Sequence, residues 1–250
     1  MNIRPDKPKT DFTLVQLIPN MLTIASICAG LSAIRFGMQA NHVLAVQLII
    51  LAAVLDGLDG RLARMMSSDS KLGAELDSLA DFLNFGVAPP LVLYFWALHD
   101  LRGLGWLAVL VFTICCVLRL ARFNVTSKAE EDAGTIAPKE YFVGVPSPAG
   151  AILAMWPLYV AFAFSDASLP DVVVAANLVL VGILMISRVP VWSFKTTRVS
   201  VDKVKFVLLG GATLGAALLI FPWSTLIVMC LGYTGLVLWC ARPKSKGKTL

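Results

Sequence analysis

Four aspartates stand where acids are costly. Asp56 and Asp59 follow the apolar run QLIILAAVL, and Asp77 and Asp81 precede FLNFGVAPPLVLYF. Spacings of three and four put each pair on one face of a helix. A short turn around Ser67–Gly73 makes the two helices antiparallel neighbours, with all four carboxylates at one level. An ionisable side chain at the centre of a bilayer costs at least about 2.5–3.5 kcal/mol, and four like charges add repulsion. Such a cluster needs counter-charge. Arg61 and Arg64 supply two positive charges, and divalent cations would supply the rest. Oxygen donors without His or thiolate favour Mg²⁺, Mn²⁺ or Ca²⁺ over zinc. Carboxylates that share two divalent ions hold phosphates for in-line displacement. The alternative is an interfacial salt-bridge network of the four acids with the two arginines.

The elements that must position these residues are membrane helices. Of 250 residues, 58% are hydrophobic and 15% charged, and the mean hydropathy is +0.78. A soluble domain averages roughly 45–50% apolar and about 25% charged, so a soluble enzyme and a disordered chain are both excluded. Apolar runs long enough to span a bilayer recur throughout. Eight spans are expected, near Leu14–Phe36, His42–Met66, Leu76–Leu98, Leu104–Phe123, Pro146–Ser165, Asp171–Val189, Val204–Phe221 and Trp223–Ala241. The last two meet at Pro222 in a tight hairpin, and Thr126–Gly144 forms the longest polar loop. A basic stretch, Trp192–Lys205, separates the sixth and seventh. With both termini cytoplasmic, all 21 Lys and Arg residues except Arg35 and Arg102 fall inside, which supports an even number of spans. The expected fold is an all-α integral membrane protein, a bundle of about eight transmembrane helices forming one domain over residues 1–250. Its first segment is too long for a signal-peptide core and reads as a retained helix. The net charge of +5 reports topology rather than nucleic-acid binding. Cys28, Cys115, Cys116, Cys230 and Cys240 lie in apolar stretches with no CxxC, as small core residues do.

The segment D56-GL-D59-G60-RL-A63-R64, eight residues, then G73-AEL-D77-SLA-D81 resembles, without departure, the DxxDGxxAR-x8-GxxxDxxxD motif of the CDP-alcohol phosphotransferases. These membrane enzymes transfer a phosphatidyl or related group from a CDP-linked donor to an alcohol and release CMP. The resemblance implies two divalent cations, Mg²⁺ or Mn²⁺, with Ca²⁺ as a non-productive occupant. It implies Asp56 and Asp77 as ligands of both metals, Asp59 of the first and Asp81 of the second. Asp81 also resembles the general base that takes the acceptor's proton. Gly60, Ala63, Arg64, Ser70 and Gly73 match positions that face CDP-diacylglycerol, and Pro19 and Asn20 in LIPNMLT resemble a further contact with the CDP moiety. For Ala63, close helix packing is an equal alternative.

RLARFN (Arg119–Asn124), FVGVPSPAG (Phe142–Gly150) and NFGVAP resemble the phosphatidylserine synthases of this family. That resemblance covers a catalytic core of about residues 14–165, while 166–250 are matched only by hydropathy. It implies L-serine as acceptor. Arg119 and Arg122, three residues apart, could clamp its carboxylate, with Asn124 or Ser147 nearby. Positive-inside anchoring is the competing account of both arginines. Choline, inositol phosphate and glycerol 3-phosphate remain alternative acceptors, and a cation-coupled transporter is a remote one. Small residues in the late spans (Gly210, Gly211, Gly215) and the family suggest a homodimer among membrane lipids. The charge pattern suits a prokaryotic inner membrane, with the site on the cytoplasmic side.

Overall fold

The computed structural model describes residues 17–66, 71–132, 141–164, 169–192 and 201–241. Helices α1 (Ile18–Met38) and α2 (His42–Met65) form an antiparallel pair joined by a tight turn, with Asn41 accepting from the Leu44 N–H at the start of α2. The third rod is composite: α3 (Lys71–Asp81), a π-helical turn (Phe82–Val87) and α4 (Ala88–Trp96). Then follow α5 (Gly103–Asp132), α6 (Ser147–Ala154), α7 (Trp156–Ala163), α8 (Asp171–Ile186), α9 (Val201–Ile220) and α10 (Pro222–Ala241). Five of these rods contain a stretch long and apolar enough to cross a membrane: Ile18–Met38, His42–Met65, Leu72–Trp96, Gly103–Ser127 and Pro222–Cys240. Their outward faces carry bare apolar side chains, such as Met21 and Ile24 on α1 and Leu104 and Leu107 on α5. That is the surface expected of helices bathed in lipid.

Small residues let the rods approach closely. Ala33, Ala45, Ala52 and Ala88 are fully buried in the core of the α1–α2–α4 region. A Cβ at Gly37 would come within 3.1 Å of Val92, and one at Gly182 of α8 within 3.2 Å of the Phe112 backbone in α5. Lipid tails are as apolar as leucine, so close packing and interhelical hydrogen bonds must hold such a bundle together.

The structure departs from the sequence expectation in five places. First, α5 runs on to Asp132, so Thr126–Asp132 is helix rather than loop. Lys128, Ala129 and Glu130 are good helix formers and extend a helix already nucleated by the span. Second, α3 already begins at Lys71, inside the stretch expected to turn, and residues 67–70 lie outside the described residues. Third, the third span changes winding within FLNFGV. Pro89 and Pro90 lack the N–H groups that would bond the Phe85 and Gly86 carbonyls, so the ladder must be interrupted there. Thr113 of α5 fills one gap, its Oγ1 donating to the Gly86 carbonyl at 2.9 Å. Fourth, the fifth span breaks at Met155. Pro157 cannot bond the Leu153 carbonyl, and the Asn177 amide of α8 donates to the Leu153 and Ala154 carbonyls at 3.4 and 2.9 Å while accepting from Trp156 Nε1 at 2.9 Å.

Fifth, the chain is not wholly helical. A three-residue strand, β1 (Tyr141–Val143), pairs antiparallel with β2 (Pro190–Trp192), with Phe142 opposite Val191. Gly144 follows at φ +82°, where a Cβ would meet the Met185 and Ser187 carbonyls, so glycine is required for the turn into α6. Most of the basic stretch after Trp192 lies outside the described residues, which resume at Val201.

Replacing Thr113 by valine leaves the Gly86 carbonyl without its partner. Thermal unfolding in detergent should show a loss of about 1 kcal/mol, largely restored in Thr113→Ser.

Candidate active site

The C-terminal half of α2 and the C-terminal half of α3 carry the four aspartates, and α1 packs against both. The carboxylates of Asp56, Asp59 and Asp77 converge, with one oxygen of each within 4.8 Å of the others. Asp81 sits one turn further along α3, where its carboxyl faces Asp56. Asp59 is the most enclosed, at 2% exposure. Asp56 Oδ1, Asp59 Oδ1 and Asp81 Oδ1 are buried without a hydrogen-bond partner among the described residues. Buried polar atoms are rarely left so, and each orphan calls for an explanation. Divalent cations would meet the need: the donors are all hard carboxylate oxygens, those of Asp56, Asp59 and Asp77 converge, and Asp56, Asp59 and Asp81 each keep one oxygen open.

The positions expected to face the donor surround this cluster. Outside its own helix, no atom of the described residues comes within 4 Å of where a Cβ on Gly60 would stand, so open space lies beside Asp59. Ala63 and Gly73 are half-buried on the facing helices. Arg64 is exposed, and its Nε donates to the Gly60 carbonyl at 2.9 Å, which draws the guanidinium back along α2 toward the open space. Pro19 is buried and Asn20 half-buried in the first turn of α1. Ser70 lies outside the described residues.

The acceptor candidates divide. Arg119 of α5 is largely enclosed and close enough to Asp81 to interact electrostatically. Its Nη1 donates to Ser147 Oγ at 2.8 Å, while its Nε is buried without a partner. Arg119, Ser147 and Asp81 therefore form one group. Arg122, one turn on, is directed elsewhere, with Nη1 donating to the Ile186 carbonyl at 3.1 Å. Asn124 is engaged by α3, its Nδ2 donating to Ser78 Oγ at 3.0 Å. These two tie α5 to its neighbours, so the arginines do not form the clamp that their spacing suggested.

Several residues that pattern reading passed over belong to the site. Thr23 Oγ1 lies 2.6 Å from Asp59 Oδ2, Ser26 Oγ donates to the Thr23 carbonyl at 2.8 Å, and Asn84 Nδ2 donates to Ser26 Oγ at 3.2 Å. Tyr233 of α10 lies near enough to Arg119 to feel its charge, and among the described residues its hydroxyl is buried without a partner. The signal available for all four was a polar residue inside an apolar span, where such groups are expensive.

Multi-span helices that gather four carboxylates beside an open, arginine-flanked space define a class: integral membrane proteins built to handle phosphates through divalent cations. The family model of the CDP-alcohol phosphatidyltransferases matches residues 16–189. A CDP-diacylglycerol–serine O-phosphatidyltransferase of Mycobacterium leprae is 40% identical over 222 residues, spanning 88% of this chain and 72% of that protein. The enzyme of that name from Helicobacter pylori is 34% identical over 184 residues (73% and 74%), and that of Methanocaldococcus jannaschii 32% over 172 (69% and 72%). The chain belongs to the CDP-alcohol phosphatidyltransferase family.

Crowded carboxylates without counter-ions repel one another, and a ligand that binds only the folded state stabilises it. Mn²⁺ should therefore raise the unfolding temperature of the detergent-solubilised protein. Asp77→Asn should unfold at a higher temperature than wild type in chelator and show a smaller Mn²⁺ shift. Differential scanning fluorimetry with and without Mn²⁺ checks both.

Proposed function

We propose that this protein transfers the phosphatidyl group of CDP-diacylglycerol to L-serine, giving phosphatidylserine and CMP. The observation that carries the reading is the convergence of the Asp56, Asp59 and Asp77 carboxylates, with Asp81 facing Asp56 and interacting electrostatically with Arg119. The serine-using relatives support the choice of donor and acceptor.

Asp56 and Asp77 would hold both of two divalent cations, Mg²⁺ or Mn²⁺, with Asp59 completing one site and Asp81 the other. When bound, such cations neutralise the pyrophosphate charge and polarise its P–O bonds. The chain's own residues position and move protons. Open space at Gly60 admits the nucleotide beside Asp59, and Ala63, Gly73, Pro19, Asn20 and Ser70 would complete the donor's walls. Arg64 offers positive charge to the phosphates. Arg119 and Ser147 receive the serine carboxylate, with Arg122 adding positive potential from the next turn. The serine hydroxyl is thereby set against Asp81, which takes its proton as the oxygen bonds to the phosphorus carrying diacylglycerol. The bond from that phosphorus to the bridging oxygen breaks, and CMP leaves with the electron pair. Catalysis is then mainly positioning and charge neutralisation, and needs no nucleophilic Ser, Cys or His.

The wider setting follows from the charge pattern. We propose eight membrane crossings, both termini cytoplasmic, a homodimer, and a site open to the cytoplasm of a prokaryotic cell. Gly210, Gly211 and Gly215 of α9 face open space, which supports packing against a second copy. Cysteine-accessibility labelling should tag residues 2 and 245 from the inside of the cell only. Chemical cross-linking in native-like lipid should yield a dimer.

Purified protein with CDP-diacylglycerol and Mn²⁺ should release CMP with serine, and not with choline, inositol phosphate or glycerol 3-phosphate. Release with choline instead would replace the acceptor and leave the chemistry standing. Asp81→Asn should lower kcat by about 10²–10⁴-fold while leaving the donor KM within about threefold, as loss of a general base does.

A further inference from the structure

We infer that a buried hydrogen-bonded chain, Asn84–Ser26–Thr23, positions Asp59 for cation binding and links it to the π-helical turn that begins beside Asp81. The inference rests on the reading of Asp59 as a cation ligand.

Each proton in the chain has one destination. Thr23 Oγ1 lies 2.6 Å from Asp59 Oδ2 and 3.1 Å from the Pro19 carbonyl. A threonine inside a helix ordinarily bonds the carbonyl four residues back. An ionised carboxylate is the stronger acceptor and is nearer, so the single hydroxyl proton goes to Asp59. Ser26 gives its proton to the Thr23 carbonyl at 2.8 Å, which leaves its lone pairs to accept from Asn84 Nδ2 at 3.2 Å. The Asn84 carbonyl oxygen makes no hydrogen bond, and it packs where a Cβ on Gly30 would stand. Any side chain at position 30 would evict the amide. Thr23 is 4% exposed, and Ser26 and Asn84 are fully buried, so water does not compete at any of these bonds.

Asp59 has few other anchors. Besides Thr23, the Gly60 backbone N–H bonds the carboxylate, and among the described residues Oδ1 has no partner. Asn84 stands third in the wider turn that follows Asp81 directly. A π-turn shifts side-chain phase relative to an α-helix, and such turns concentrate at functional sites. The turn thus aims Asn84 at α1 while α3 keeps Asp81 facing Asp56. Thr23, Ser26 and Asn84 are positioning residues, since none of them touches the reacting atoms.

The test reads Mn²⁺ binding directly, by electron paramagnetic resonance on purified, monodisperse protein in lipid nanodiscs. A hydrogen bond to a charged group corresponds to about tenfold or more in affinity. Thr23→Val should weaken Mn²⁺ binding by about that factor, and Thr23→Ser, which keeps the hydroxyl, should stay within about threefold of wild type. Asn84→Ala should weaken it less than Thr23→Val in the wild-type background and add no loss in the Thr23→Val background, since residues of one network are not additive. Wild-type affinity in Thr23→Val, or an equal loss from Asn84→Ala in both backgrounds, would overturn the inference. Wild-type protein that binds no Mn²⁺ would overturn it together with the metal reading, a failure separable from the other two.

Discussion

Four carboxylates held together at the ends of two membrane helices are the constraint on which the rest of this structure depends. Each costs energy to keep out of water, and each raises the cost of the others. The fold tolerates them by placing Asp56 and Asp59 in the last turns of α2 and Asp77 and Asp81 along α3, with an open face beside Gly60. Their free lone pairs leave the site incomplete without counter-charge. Cations gathered to neutralise the acids would also neutralise a pyrophosphate donor, which is what the proposed function requires.

The surrounding architecture keeps that geometry fixed without a water-soluble scaffold. Prolines break the backbone ladder in two rods, and in each a side chain from a neighbouring helix replaces the missing partner: Thr113 at Gly86, and Asn177 at Leu153 and Ala154. In lipid there is no solvent to do so. Both repairs also fasten the broken rods to α5 and α8, so the irregular turns become points of attachment. The β1–β2 ribbon does similar work, bringing the segment before Ser147 against the end of α8 and so fixing the start of the helix whose first residue meets Arg119.

Much of the site was legible in the sequence because its chemistry is local. The aspartate pairs follow helical spacing, and the two helices are adjacent in the chain, so convergence of the acids needed only a tight connection between them. Membrane spans declare themselves by apolar length, which is why α1, α2, α5 and α10 fall close to the expected segments. What pattern reading missed depends on contacts distant in sequence. Thr23 meets Asp59 across 36 residues, and Asn84 meets Ser26 across 58. The i, i+3 spacing of Arg119 and Arg122 suggested one clamp, but that spacing fixes only a shared side of a helix. Rotamer and neighbours send Arg119 to Ser147 and Arg122 to Ile186. The π-turn was likewise invisible to a periodicity argument, although Pro89 and Pro90 signalled that the ladder could not continue unaltered.

The central claim is that these aspartates hold a pair of divalent cations in the space they enclose. Anomalous diffraction from crystals grown with Mn²⁺ tests it most directly. Two peaks are expected, held by Asp56, Asp59, Asp77 and Asp81. No peak among these four residues, or Mn²⁺ bound only elsewhere on the chain, would contradict it.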